Sequence, residues 1–186
     1  MKALILIDKE YQTDIYEQLH NTIKDYFEQK KFELDEIKIG KEDLAFCMGC
    51  FGCWVKKPGE CVIDDTMSQI NHKFINSDVV ICLSPLVFGQ FSANIKNALD
   101  RWLPNVLPFF ITRPDGSTMH PSRYKSYPRQ IVIAYAEDIK DEDAELVVDI
   151  VKKHRRSMDV IVYKNSQAKL LESLNNIDMM RVGDEL

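Results

Sequence analysis

The sequence predicts an α/β protein built on a doubly wound, five-stranded parallel sheet with helices on both faces. Two observations carry this. Short apolar runs without polar alternation recur along the chain, as they do in strands covered on both sides. Between them lie segments whose apolar residues repeat at helical spacing, and strictly alternating strands and helices imply parallel pairing through crossover connections. No internal repeat, low-complexity stretch or composition break marks a linker, so the 186 residues are expected to form one domain.

The elements follow in order. Residues 3–7 are a continuous apolar run, and Ile15, Leu19, Ile23 and Phe27 follow at helical spacing, with Asp14 and Glu17 as a capping box. Phe32, Glu33 and Leu34 open a second, weaker strand. Residues 40–62 form a cysteine-bearing loop with little periodicity. Asp64 and Asp65 can cap a short helix carrying Met67, Ile70 and Phe74, and residues 78–83 are the clearest buried strand. A loop at 84–91 leads to Ser92, which can cap a helix with Ile95, Leu99 and Trp102 on one face, ended by Pro104. Residues 104–128, with several prolines, Phe109, Phe110 and a turn at Pro114, Asp115 and Gly116, read as a long excursion from the sheet. Segments of that kind serve as interface arms or active-site walls. Residues 130–135 are a further strand, Ala144, Val147, Val148 and Val151 mark a helix, residues 159–163 a last strand, and Leu170, Leu171 and Leu174 a final amphipathic turn or two.

Composition narrows the function. With 24 Lys and Arg against 29 Asp and Glu, the net charge of −5 suits a soluble protein and disfavours nucleic acid. The apolar run at the start is too short for a signal-peptide core or a membrane span, so a cytoplasmic protein without membrane association is expected. Five cysteines, four of them between Cys47 and Cys61, then read as metal or redox ligands more than as a disulfide framework, and Cys82 as a small buried hydrophobe.

In a sheet of this type, ligands bind beyond the carboxyl ends of the strands where the strand order reverses. Three loops meet there: 8–13, 84–91 and 135–140. In the middle one, which opens at Ser84, Pro85 fixes the backbone, Leu86, Val87 and Phe88 offer apolar contact, and Gly89 permits close approach, the needs of a flat ring system. An ordinary strand-to-helix connection would read much the same.

Cys47, Cys50 and Cys53, each two residues from the next, followed by Cys61, form the most specific constellation. The double spacing suits an iron-sulfur cluster with Cys61 as fourth ligand. Zinc fits two separated cysteine pairs better than pairs sharing a member. A redox-thiol role would leave two or more cysteines unexplained. A packed loop with small buried thiols fits as well as a cluster, because Gly49, Phe51, Gly52 and Trp54 intersperse turn and apolar residues.

Together, Cys50 to Trp54, Pro58 to Cys61, Asp64 and Asp65, Ser84 and Pro85 with Phe88 and Gly89, and Lys96 to Arg101 resemble the NADPH-dependent FMN reductase group of the flavodoxin-like superfamily, with cysteine spacing similar to its iron-sulfur flavoprotein branch. The resemblance implies FMN, electrons from NAD(P)H or a ferredoxin-like donor, a small-molecule acceptor, and a homodimer or homotetramer. It implies that Pro85, Leu86, Val87, Phe88 and Gly89 line the isoalloxazine ring beside Tyr135, and that Cys47, Cys50, Cys53 and Cys61 ligate a 4Fe-4S cluster.

The first loop departs from the family's Ser-, Gly-, Thr- and Arg-rich pattern. It carries Asp8, Glu10 and Asp14 against one ammonium, Lys9, and like charges near a phosphate cost on the order of a kcal/mol each. Lys9, the Thr13 hydroxyl and the helix-start amides remain available to hold a phosphate. The loop after Tyr135 lacks the family's glycines. Of the histidines, His20, His72 and His154 read as solvated or dipole-favoured helix residues, whereas His120, in the excursion, is either a surface residue or one brought to a flavin edge across a dimer interface. Asp100 and Arg101 read as helix-end pairing or capping, and Lys96 as solvent-facing. The expected function is flavin-mediated electron transfer in which the cofactor performs the redox step. A cluster would let the protein pass electrons singly. The rival is a flavodoxin-like binding module that has lost FMN, and the acidic first loop supports it.

Overall fold

A computed structural model of the chain describes residues 1–11, 13–154 and 157–183. In chain order the elements are β1 (Lys2–Asp8), α1 (Asp14–Gln29), β2 (Glu33–Ile39), the single turn α2 (Gly52–Val55), α3 (Thr66–Asn76), β3 (Val79–Val87), β4 (Gln90–Phe91) and α4 (Ala93–Asp100). A 3-10 turn (Leu103–Asn105) and the two-residue strands β5 (Ile111–Thr112), β6 (Thr118–Met119) and β7 (Ser126–Tyr127) come next. The series closes with β8 (Arg129–Tyr135), α5 (Asp141–His154), β9 (Met158–Tyr163), α6 (Gln167–Asn175) and β10 (Val182–Gly183).

Five parallel strands stand in the order β2-β1-β3-β8-β9, the flavodoxin-like arrangement expected from the sequence. The unbroken apolar run of β1 has its reason here. Ala3, Ile5 and Ile7 pack under α1 and α6, while Leu4 and Leu6 face the opposite core with α3, α4 and α5, so each face of the strand needs its own apolar set. Phe27 anchors one layer and Phe74 the other, both essentially inaccessible to solvent, and truncating either to Ala would cost about 3–5 kcal/mol.

Chain order sets the switch point. After β1 the chain steps outward to β2, then returns across β1 to β3, so the strand order reverses between β1 and β3. Asp8 and Tyr135 end their strands on this one edge, level with Pro85 of β3, with Ile7 opposite Leu83 and Pro85 opposite Tyr135.

Four local features differ from the sequence expectations. The cap of α1 is Thr13, whose Oγ1 accepts from the Tyr16 amide at 3.4 Å, because Thr13 is extended (φ −103°) while Asp14 already begins the helix. The stretch 84–91 is no open loop: β3 continues to Val87 and turns back as the antiparallel β4, pairing Val87 with Gln90 and Leu86 with Phe91. Trp102 lies past the end of α4 but is still buried against Phe74, their ring centroids 4.4 Å apart. The excursion carries structure of its own. β5 and β6 form a hairpin around Gly116, and β7 pairs with β10. It is pinned by the fully buried Tyr127, whose hydroxyl donates to the Asn105 carbonyl at 2.6 Å and accepts from the amides of Arg123 and Tyr124.

Candidate functional site

The first loop is held by its carboxylates. Asp8 is fully buried; its Oδ1 accepts from the Glu10 amide at 2.9 Å and from Asn94 Nδ2 at 3.1 Å, and Oδ2 has no partner among the described residues. Glu10 accepts from the Lys41 amide at 2.7 Å, and that bond together with Asn94 holds its carboxyl below the usual range. Lys9 reaches the Asp43 carboxylate at 2.6 Å, and this ammonium, with the Gly40 amide, keeps Asp43 depressed as well. The sole ammonium of the loop is therefore already matched by a carboxylate. Thr13 uses a lone pair on the Tyr16 amide and has an O–H to give, beside the Asp14 and Ile15 amides, which have no partner within the helix.

The second loop is a two-residue hairpin with Phe88 and Gly89 at its tip, both at positive φ (49° and 73°), the primed turn that matches the strand twist. Phe88 is fully exposed although an aromatic residue in this backbone region is strained. Behind it, Ser84 ties the hairpin to α4: its hydroxyl donates to the Pro85 carbonyl at 3.0 Å and accepts from the Ser92 amide at 3.2 Å, while Ser92 caps the helix. Pro85 is buried; Leu86 and Val87 are half-buried.

Tyr135 is buried at the end of β8 and donates to the Tyr11 carbonyl at 3.0 Å. Burial, then the nearby Asp8, raises its phenol well above the ordinary value, so it stays protonated and serves as a strut between the first and third loops.

The cysteine segment begins beside the first loop at Gly40 and runs down the α3 and α4 side of the sheet. Asn97 Nδ2 holds the Leu44 carbonyl at 3.1 Å, and Trp54 Nε1 donates to the carbonyls of Leu103 and Val106. Phe51 stacks on Trp54, Trp54 contacts His120 at 5.0 Å, and His120 contacts Phe110 at 4.6 Å, a ladder of four rings joining this segment to the excursion. His120 Nδ1 donates to the Phe109 carbonyl at 2.8 Å. Cys47 and Cys50 are exposed, Cys53 and Cys61 half-buried. The turn at Gly59 returns the chain, its amide bonding the Cys53 carbonyl at 3.0 Å. Burial pushes the Cys53 thiol up, and Cys61, Cys47 and Cys50 push the same way, which argues against Cys53 as an activated thiolate. Among the described residues, no His, Cys, Asp or Glu side chains converge as ligands of one metal ion. A cubane cluster places each thiolate on a separate iron and needs a wider set than one ion does. The donor chemistry suits it: four thiols in one neighbourhood, with the Gly52 amide 3.5 Å from Cys50 Sγ and the Arg101 guanidinium 3.2 Å from Cys61 Sγ.

Arg101 caps the end of α4 and is paired, as expected, but sequence reasoning missed its burial and its contact with Cys61, and missed Asn94 and Asn97, which bind the two loops to α4. The signal was present in the run from Lys96 to Arg101. Lys96 is exposed as expected and pairs with Asp100. His20 meets Glu36 at 3.1 Å and His72 is exposed. The placement expected for the His154 side chain beside Arg155 and Arg156 lies outside the described residues. Among the described residues no helix is long and apolar enough to cross a membrane.

Comparison with known proteins agrees with this geometry. The chain is 35% identical over 77 residues to an iron-sulfur flavoprotein of Archaeoglobus fulgidus, covering 41% of this chain and 34% of that one. It is 34% identical over 73 residues to one from Methanosarcina thermophila, covering 39% and 37%. The matched part spans about a third of the length of these relatives. Among solved structures, an NAD(P)H:quinone oxidoreductase from Methanothermobacter marburgensis superposes with a TM-score of 0.60 at 10% identity, covering 94% of this chain and 91% of that one. An azoreductase from Bacillus anthracis str. Sterne does so with 0.59 at 12%, covering 94% and 92%. At such identities the superpositions speak for the fold. The family model for NADPH-dependent FMN reductase matches residues 1–109, more than half of the sequence, and the chain belongs to that family.

Proposed function

We propose that this chain is an FMN-containing oxidoreductase that takes electrons from NAD(P)H and delivers them to a small acceptor such as a quinone. The observation that carries the reading is the hairpin 84–91 at the switch point of the sheet, in a chain of this family. The isoalloxazine ring would rest on Pro85, Leu86, Val87, Phe88 and Gly89, with Tyr135 bracing the facing loop. The phosphate would take the amides opening α1 and the Thr13 hydroxyl, with Lys9 contributing only by leaving Asp43. FMN, when bound, accepts a hydride and returns electrons to the acceptor. The chain's own part is to hold the ring, keep water from one face and set the charge around it; Tyr135, protonated throughout the working range, moves no proton.

The four cysteines Cys47, Cys50, Cys53 and Cys61 hold, in this reading, a 4Fe-4S cluster whose chemistry is one-electron transfer. The two relatives described as iron-sulfur flavoproteins support it, as do the N–H donors facing Cys50 and Cys61. The chain is further read as one functional unit that works in the cytoplasm as a homodimer or homotetramer, with the exposed Phe109 and Phe110 in the interface.

Titration of the apo-protein with FMN, followed by NADPH oxidation with a quinone acceptor, tests the first part. A folded protein that binds no FMN would favour a module that has lost the cofactor, a reading that the buried Asp8 and the Lys9–Asp43 pair support. Anaerobic purification tests the second part: about four iron and four sulfide per chain are expected, lost together in Cys50→Ala.

A further inference from the structure

Arg101 is the one buried cation among the described residues, 2% exposed at the end of α4. Its fork is divided between the cap residue of α3 and two points of the cysteine segment. Nη1 pairs with the Asp65 carboxylate and donates to the Ala45 carbonyl at 3.0 Å; Nη2 donates to Cys61 Sγ at 3.2 Å. Asp65 is fixed in turn by the amides of Ala45 and Met67, both at 3.0 Å, so the guanidinium pairs with a carboxylate that is itself held in place, and moving it would break that pair. Burying an Arg–carboxylate pair gains little stability by itself, because desolvation offsets the attraction. A neutral thiol is a weak acceptor and does not account for the second arm, whereas a metal-bound sulfur carrying negative charge is a strong one. None of the other three clustered cysteines has a cation among the contacts described for it, which makes Cys61 the electropositive corner of the site.

On the reading that Cys47, Cys50, Cys53 and Cys61 hold a cluster, we infer that Arg101 is the positioning residue for Cys61, orienting its sulfur as fourth ligand and raising the cluster's reduction potential through the Nη2–H···S bond. Reduction adds one electron, and hence one negative charge, to the cluster. A fixed cation and an N–H donor at the sulfur stabilise the reduced form more than the oxidised form, most strongly where water is excluded. Lysine would keep the charge beside Asp65 but lacks the planar fork that serves the carboxylate, the carbonyl and the sulfur at once.

The test uses the full chain purified anaerobically, with iron, sulfide and FMN content measured and the cluster titrated with dithionite as electron donor under spectroscopic observation. Arg101→Lys is the first variant. Asp65→Asn with Arg101→Gln is the second, since it removes the pair without leaving a buried charge alone. Both are expected to keep wild-type far-UV circular dichroism and FMN content. Their cluster midpoint should fall by the equivalent of about tenfold in the oxidised-to-reduced ratio, about 59 mV for one electron. Lys96→Gln, on the exposed face of α4, should leave it unmoved. A wild-type cluster whose midpoint does not change in either folded variant overturns the role of Arg101 alone. Wild-type protein without iron or sulfide overturns the cluster reading and this inference with it, an outcome visible before any variant is made.

Discussion

Replacing Phe88 by Gly separates what the hairpin tip does for the fold from what it does for the ligand. The side chain is 102% exposed and the backbone sits at φ 49°, so the residue buries nothing and occupies a region that L-residues avoid. Glycine relieves a left-handed penalty of about 1–2 kcal/mol and brings back about 0.5–1 kcal/mol of chain entropy. The free protein should thus be unchanged or stabilised by up to about 1.5 kcal/mol in urea unfolding. If the isoalloxazine ring rests on Phe88, stacking covers about half of a side chain that can bury roughly 200 Å², or about 100 Å². At about 25 cal/mol per Å² this is about 2.5 kcal/mol, or roughly 60-fold in Kd. Quenching of flavin fluorescence on titration into apo-protein measures it. An FMN affinity within about twofold of wild type would show that the ring does not lie on this tip, and a loss of stability above about 1 kcal/mol would show that the backbone there is not strained.

Tyr127→Phe should destabilise the chain by about 2–4 kcal/mol, since it strands the Asn105 carbonyl and the amides of Arg123 and Tyr124 in a buried site; a urea midpoint close to wild type would contradict this. Phe109→Ser with Phe110→Ser, at residues 63% and 73% exposed, should shift sedimentation from dimer toward monomer, and a wild-type chain that is already monomeric at micromolar concentration removes the interface. Burial alone would raise the Asp65 carboxyl, yet the bonds from Arg101, Ala45 and Met67 leave it below its ordinary value. Its contribution to stability is therefore complete above the unfolded carboxyl value of about 3.9, and it is lost as pH falls from there through the lower folded value. Asp65→Asn should accordingly flatten the fall in stability below about pH 4, and equal slopes for the two proteins would refute the shift.

The sheet and its helices were legible in the sequence because they follow from local periodicity. Residues 3–7 read as doubly covered, and Leu4 and Leu6 do face one core while Ala3, Ile5 and Ile7 face the other. Ser92 and Asp65 read as caps, and both accept from the first turn of their helices. The alternation of these elements allows few topologies, so the strand order and the meeting of the loops after β1, β3 and β8 at one edge of the sheet also followed. The four-cysteine spacing and the run from Lys96 to Arg101 pointed to the family without any coordinates.

Tertiary structure decided what depends on distant segments meeting. Phe88 at a hairpin tip carries no local signal for positive φ, because pairing of Val87 with Gln90 imposes the turn on a residue that would not choose it. Lys9 looked like a phosphate ligand until Asp43, thirty-four residues later, came within 2.6 Å of it. Arg101 read as helix-end pairing or capping, and only the return of the chain over α4 supplies its partners, Asp65 and Cys61, and buries it between them. Periodicity is a property of neighbours in sequence, and it fixes which face of an element is dry. The partner of a charge is set by which chain segments cross above it, and a pattern of a few residues carries no record of that crossing.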